Sequence, residues 1–283
     1  MIQRTALKPM LRDALGDWEQ IQNQLESADR ILLFSEFDGV LSSCGEDPSR
    51  ARIDPDVQIA LRRLSVLDRI TPVLISGRSV HDLEASVGLP LVFVGDHATE
   101  IRGPGIQFSA PEADRIRGEL PAICQCLKST VSRIPGTFVE PRRLGATVYC
   151  RSVSPYLHDQ IVTAVHNCVD PGRYEVVSGN CVVDIRARLN WTRADAVLWL
   201  LHRFGVDQRH TVWLAGDESY RQMFASVPDA INVQVGFAGE ELGAPYWIPQ
   251  PDVAQFLLRL MTLAGENREH RTTGRRVMAF GAH

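Results

Sequence analysis

No run of apolar residues in this chain is long enough to span a bilayer. The opening stretch MIQRTALKPMLRDALGDWEQ also lacks the uninterrupted apolar segment of a secretory leader. No membrane partner is expected, and the reading is a cytoplasmic protein. Strong charge of one sign is missing too, since 30 Lys and Arg against 34 Asp and Glu leave a net charge of −4. That balance gives no electrostatic reason to expect nucleic acid as a partner. The six cysteines, Cys44, Cys124, Cys126, Cys150, Cys168 and Cys181, have no zinc-ligand spacing and read as scattered small fillers without a function. Internal repeats and low-complexity tracts are absent as well.

What is there is organised around Ile31 to Leu41, ILLFSEFDGVL. The apolar run predicts a strand buried on both faces, ending in two carboxylates two residues apart. Side chains alternate along a strand, so Glu36 and Asp38 are expected to point one way and Phe37 the other. Gly39 then lets the chain turn, leaving both acids at the carboxyl end of a central strand, where open α/β sheets bind ligands.

At 283 residues the chain can hold a sizeable core with a smaller insert. Residues 1–28 read as an amino-terminal helix, with Leu11, Leu15, Trp18, Ile21 and Leu25 at helical spacing. Pro55 to Asp68 reads as an amphipathic helix burying Ile59, Leu61, Leu64 and Leu67. Strands at Pro72 to Ile75 and Leu91 to Val94 flank a helix at Val80 to Val87, the grammar of a doubly wound parallel sheet. After Gly103-Pro104-Gly105 the order changes to helix, paired strands, helix and strand, which predicts an antiparallel sheet with helices on one face. The expected division is a core over 29–103 and 182–264, an inserted α+β domain over 104–181, and a frayed, flexible tail over 265–283.

Three segments carry a family resemblance. Glu36-Phe37-Asp38-Gly39 resembles the DxDGT motif of the haloacid-dehalogenase-like phosphatases, with Glu36 at the nucleophile position and Asp38 at the acid/base position. Leu74-Ile75-Ser76-Gly77-Arg78-Ser79 resembles the second motif as the trehalose-6-phosphate phosphatases write it, and Gly95 to Arg102 resembles their GNHGxEIR segment. The resemblance runs from about Ile31 to about Leu260. It implies a haloacid-dehalogenase-like, Rossmann-like core with an inserted cap domain, and the magnesium-dependent hydrolysis of trehalose 6-phosphate.

Carried over residue by residue, the resemblance gives Glu36, Asp38, Ser76 and Arg193 the catalytic positions. Arg193 stands where the family has Lys, and Arg presents a planar fork in place of a compact ammonium. For the metal the positions are Glu36, Asp38, Asp217 and Glu218, the last two in Trp213-Leu214-Ala215-Gly216-Asp217-Glu218. The family's later acids are replaced by Ser219-Tyr220-Arg221-Gln222, which implies a weakened magnesium site. Substrate-binding positions fall at Gly77, Arg78, His97, Glu140, Arg142, Arg151, Asn180 and Asp184. Among them Asn180 replaces a Lys and Asp184 a Glu, while Asp96 replaces an Asn and Tyr149 a His.

The nucleophile position carries the decisive change. Glu places its carboxylate ~1 Å or more further from the backbone than Asp, and a misplacement of ~1 Å can cost ~100-fold in rate. The reading is therefore a trehalose-6-phosphate phosphatase-like protein impaired in catalysis. The alternatives are an active phosphatase on trehalose 6-phosphate or a related sugar phosphate, and a non-catalytic sugar-phosphate sensor or regulatory protein with a protein partner.

Overall fold

The computed structural model of the protein describes residues 11–42, 52–131, 133–150, 152–179, 182–217, 220–236 and 242–278. They fall into two compact units, Met1–Gln107 with Arg193–His283, and Phe108–Thr192 inserted between them in sequence. The first segment carries β1 (Arg12–Asp13), α1 (Trp18–Glu26), β2 (Ile31–Glu36), α2 (Pro55–Leu64), β3 (Ile70–Ile75), α3 (Val80–Val87), β4 (Val92–Gly95), β5 (Glu100–Gly103) and β6 (Ile106–Ser109). The insert holds α4 (Pro111–Val131), β7 (Phe138–Arg142), β8 (Gly145–Tyr149), α5 (His158–His166), β9 (Tyr174–Gly179) and β10 (Val182–Ala187). The chain then adds α6 (Arg193–Phe204), β11 (Thr211–Ala215), α7 (Arg221–Ser226), β12 (Ile231–Val235), β13 (Tyr246–Ile248) and α8 (Val253–Met278).

Nine described strands form one sheet in the order β1-β13-β12-β11-β2-β3-β4-β5-β6. From β1 to β4 neighbouring strands in this order pair in parallel, and β5 turns antiparallel against β4. Every residue of β2 and of β11 is buried, as both faces of a central parallel strand demand. Trp213 and Phe34 are register partners and their rings stack at 4.3 Å. Pro72 sits inside β3 without breaking it, because pairing with β4 begins only at Val73.

The helices cap as their sequences direct. Asp54 accepts from the Asp56 N–H at the start of α2, with Pro55 in the first turn. Ser79 accepts from the Asp82 N–H at the start of α3, which ends on left-handed Gly88. At the end of α1, Arg69 donates to the carbonyls of Leu25, Glu26 and Ala28, and also to Leu263 in α8. Backbone acceptors that the helix leaves orphaned are thus satisfied by one guanidinium.

Four expectations are corrected. The amino-terminal helix begins only at Trp18, because Arg12–Asp13 pairs with Tyr246–Trp247 as an edge strand. In α2 the buried side is Val57, Ala60, Leu61 and Leu64, and Ile59 is 51% exposed. The true stripe steps by three or four from Val57, and Ile59 falls on the opposite side of that stripe. The strand after residue 182 belongs to the insert and not to the core, since β10 pairs antiparallel with both β8 and β9. Its alternation, with Val183 and Ile185 buried and Arg186 exposed, is that of a one-sided sheet. Finally, α8 runs on through Gly265 to Met278, with no proline to stop it.

The smaller unit's sheet has the order β7-β8-β10-β9. One of its faces, carrying Val139, Val148, Val183 and Ile185, shares a core with Ile116, Leu120 and Leu127 of α4 and Ile161 and Val165 of α5. Cys126 and Cys168 form a disulfide in this unit, which overturns the reading of all six cysteines as unengaged fillers. Cys124 and Cys150 are buried, and Cys44 and Cys181 lie outside the described residues.

Candidate active site

Because β2, β3, β4 and β11 run parallel, their carboxyl ends come together at one edge of the sheet. Glu36 is the last residue of β2 and is 8% exposed. Its Oε2 accepts the N–H of Gly216 at 3.0 Å and of Asp217 at 3.3 Å, just past the end of β11. Burial, reinforced by the charge of Asp217, pushes its pKa up to about 7 against the pull of those two amides and of Arg193.

Asp38 turns to the other neighbour. Arg78 donates from Nε at 2.9 and 3.1 Å and from NH2 at 2.5 Å, a fork on both oxygens. Ser76 Oγ donates to Asp38 at 3.3 Å and accepts the Arg78 N–H at 3.1 Å. Strand alternation predicts a shared direction for the two acids, but β2 ends at Glu36 and Phe37 buries itself in the core. The acids therefore share a strand end and bind opposite flanks, Glu36 on the β11 side and Asp38 on the β3 side.

The turn after β4 closes this edge. Asp96, His97 and Ala98 all have positive φ, 51°, 56° and 74°, three successive non-glycine residues in the left-handed region. Such strain persists only where the surroundings impose it. Here the Asp96 N–H donates to the Arg78 carbonyl at 2.7 Å, and Thr99 Oγ1 donates to the Asp96 carbonyl at 2.8 Å. A Cβ at Gly77 would meet His97 Cε1 at 2.9 Å. His97 thus packs on the Ser76-Gly77-Arg78 turn. The motif marks the segment in sequence, but the left-handed run is missed, and Asp and His tolerance of that region is its one trace.

Arg193 opens α6, with its guanidinium 4.9 Å above the ring of Tyr220. Tyr220 was not among the expected site residues. It is buried, its hydroxyl donates to the Ile75 carbonyl at 3.5 Å, and burial together with Glu36 raises its pKa, so the phenol keeps its proton. The larger unit therefore gathers Glu36, Asp38, Ser76, Gly77, Arg78, His97, Arg193 and Asp217 around the strand ends. Arg151, Asn180 and Glu218 lie outside the described residues.

Glu140, Arg142 and Asp184 belong to the smaller unit, on the sheet face opposite its helices. Tyr149 Oη donates to Glu140 at 2.7 Å and accepts from Arg142 at 3.1 Å. Thr147 Oγ1 donates to Asp184 at 2.7 Å, and Arg186 closes the chain on Asp184 at 3.0 Å. Phe138, 63% exposed, lies beside the Tyr149 ring at 6.1 Å. Alternation along β7, β8 and β10 places all these groups on one face. Thr147, Tyr149, Phe138 and Arg186 were not expected to act together, because that needs the strand register.

Comparison with known proteins decides the family. The sequence profile described as trehalose-phosphatase matches residues 34–241. The chain belongs to the trehalose-phosphatase family. Trehalose-phosphate phosphatases of Mycobacterium tuberculosis and Mycobacterium bovis are 28% identical over 173 residues, 60% of this chain and 43% of theirs. That of Mycobacterium avium is 28% identical over 202 residues, 69% of this chain and 51% of its own. The chain thus spans about half the length of the curated relatives it matches.

Solved structures share its fold. A trehalose-6-phosphate phosphatase related protein superposes with a TM-score of 0.65 at 17% identity, over 83% of this chain and 99% of that one. The Aspergillus fumigatus trehalose-6-phosphate phosphatase gives 0.63 at 19%, over 89% and 99%. The C-terminal domain of the Candida albicans trehalose synthase regulatory protein gives 0.57 at 13%, over 88% and 98%. The fold is haloacid-dehalogenase-like, a mostly parallel α/β sheet with helices.

The family is typically magnesium-dependent, and two of the expected ligands suit such an ion. Glu36 is a buried carboxylate whose charge is opposed by neighbouring Asp217, a conflict that a divalent cation relieves. Magnesium sites need only one or two carboxylates, the rest being water and substrate oxygens. Asp38 does not extend this pair, because Arg78 holds both its oxygens. Among the described residues no cluster of three His, Cys, Asp or Glu side chains is placed to hold a metal. Of the four expected ligands, Glu36 and Asp217 stand side by side at the strand ends, Asp38 is held by Arg78, and Glu218 lies outside the described residues.

Proposed function

We propose that the chain binds a sugar phosphate of the trehalose 6-phosphate type at the strand ends and hydrolyses it slowly or not at all. One observation carries this reading: Glu36, at the family's nucleophile position, has its Oε2 fastened to the Gly216 and Asp217 amides. A nucleophilic carboxylate must present an oxygen in line with phosphorus. The glutamate is one methylene longer than the family's aspartate, and a ~1 Å error costs ~100-fold. Burial also raises the pKa of Glu36, which favours the neutral carboxyl, a poor nucleophile.

The remaining groups suit binding. Ser76 Oγ and the Arg193 guanidinium are a hydroxyl and a cation of the kind that hold non-bridging phosphate oxygens. Asp38 stands at the family's acid/base position, beside Ser76 and with Arg78 on both its oxygens. A bound magnesium ion would neutralise charge on the phosphoryl group, with Glu36 and Asp217 as its holders. We read the smaller unit as the family's cap, and the groups on its polar face, Glu140, Thr147, Tyr149 and Asp184, are of the kind that pair with sugar hydroxyls. A regulatory role with a protein partner is compatible with the fold, which a trehalose synthase regulatory protein also adopts.

The test is phosphate release from trehalose 6-phosphate in magnesium, with the unaltered chain beside Glu36→Asp, together with calorimetric binding of the same sugar phosphate. The expected result is no release above background by the unaltered chain, a gain of ~100-fold in Glu36→Asp, and binding that Ser76→Ala weakens. Turnover by the unaltered chain that a chelator abolishes would overturn the proposal.

A further inference from the structure

The smaller unit carries an open groove of about 660 Å³ between one stripe of α4 and the β7–β8 hairpin. That volume is within the ~300–1,000 Å³ typical of small-molecule sites. On α4 the stripe runs from Arg117 through Leu120 and Cys124 to Lys128, residues three or four apart and so on one side of the helix. Across from it stand Pro141, Arg142 and Arg143. Four of the lining residues, Arg117, Lys128, Arg142 and Arg143, are basic and none is acidic, with the Arg142 guanidinium turned to the polar face of the sheet.

Partners behind the groove hold two of these cations in place. Arg117 NH2 bonds to Ser109 at 2.7 Å and to Asp114, while its NH1 is buried without a hydrogen-bond partner. Arg142 pairs with Glu140 at 2.8 Å. Neither acid lines the groove itself. Its floor includes an unusual residue, Pro121, in the middle of α4. A proline there has no N–H for the carbonyl of Arg117 and is a costly choice inside a helix.

Basic residues on both walls favour an anion between them, and guanidinium forks suit a tetrahedral phosphate. The apolar floor of Leu120, Pro121 and Cys124 asks for more than a bare ion. We propose that this groove is a binding site for a small organic phosphate with a flat or apolar body, a mononucleotide being the simplest of the class. Apart from Arg142 it uses none of the residues assigned above to phosphoryl or sugar recognition, so it stands or falls apart from that reading.

The experiment is isothermal calorimetry on the full chain with adenosine monophosphate and with inorganic phosphate as probes. It is repeated on Lys128→Ala/Arg143→Ala, on Gln125→Glu and on Ser76→Ala, each checked for native circular dichroism. Gln125 lines the groove at an exposed position, so its change adds a negative charge without disturbing the core. Adenosine monophosphate should bind at least tenfold more tightly than phosphate. The double variant and Gln125→Glu should each weaken it tenfold or more, and Ser76→Ala should leave it unchanged. No binding at millimolar adenosine monophosphate, equal binding of the two probes, or a loss confined to Ser76→Ala would overturn the proposal.

Discussion

At the ends of β2 and β11 a glutamate that is 8% exposed is held by two backbone N–H groups. On the smaller unit's sheet, Asp184 and Glu140 are held by other side chains, at side-chain exposures of 27% and 36%. The first arrangement takes its geometry from the parallel sheet, where donors sit wherever the strands end. The second takes its geometry from rotamers, which a new side chain can readjust. Side chains on the polar face can therefore readjust to a substitution by degrees. A substitution at Glu36 meets backbone donors that cannot readjust to it.

Changes in the two regions should consequently differ in size. The largest effect is expected from Glu36→Gln, measured by chemical denaturation in chelator across pH. Folding raises the pKa of Glu36 from 4.5 to about 7, so the native state holds a proton that the unfolded chain gives up. The native advantage is present below pH 4.5 and is lost as pH rises to 7, amounting to about 3 kcal/mol. Glu36→Gln should match the parent near pH 4 and exceed its stability by about that amount at pH 8. Curves that stay parallel across this range would mean that Glu36 keeps its ordinary acidity.

Next in size is Gly95→Ala, at the end of β4. An added Cβ would lie 2.6 Å from the Val80 nitrogen and 2.8 Å from the Arg78 carbonyl oxygen, both backbone atoms that cannot swing aside. A loss of about 2 kcal/mol is expected, and a thermal melt that does not move would show the turn to be more yielding than its contacts imply.

The smallest effect belongs to Tyr149→Phe on the polar face. The hydroxyl bridges Arg142 and Glu140, two groups that also pair directly at 2.8 Å. Stability should fall by less than ~1 kcal/mol, with any larger cost appearing in sugar-phosphate binding. A drop of several kcal/mol in denaturation would erase the contrast between the two regions.

Much of the larger unit was legible in advance. The helix at Val80 to Val87 is found where the pattern places it, and the strands expected at Pro72 to Ile75 and Leu91 to Val94 overlap β3 and β4. Motif order located Glu36, Asp38, Ser76 and Asp217 at strand ends. Reading failed where partners are distant in sequence. Strand β10 was assigned to the wrong unit, because a strand of alternating character does not name its neighbours. Arg12–Asp13 was absorbed into a helical pattern that its pairing with Tyr246 overrides. Tyr220 carries no local signal at all, since its place follows from β3 and α6 meeting above it.

The sequence by itself determined the family, the parallel sheet, and the presence of a glutamate where the family's chemistry uses an aspartate. Those follow from local pattern and residue identity. Only the tertiary structure decided that Glu36 and Asp38 part company, one to the amides after β11 and the other to the Arg78 fork. It also decided that Glu36 is buried beside Asp217, and that Asp96 to Ala98 bend left-handed around the Ser76 turn. The physical reason is that hydrogen-bond partners and burial are set by which strand ends lie side by side, a long-range property that no single stretch of chain contains.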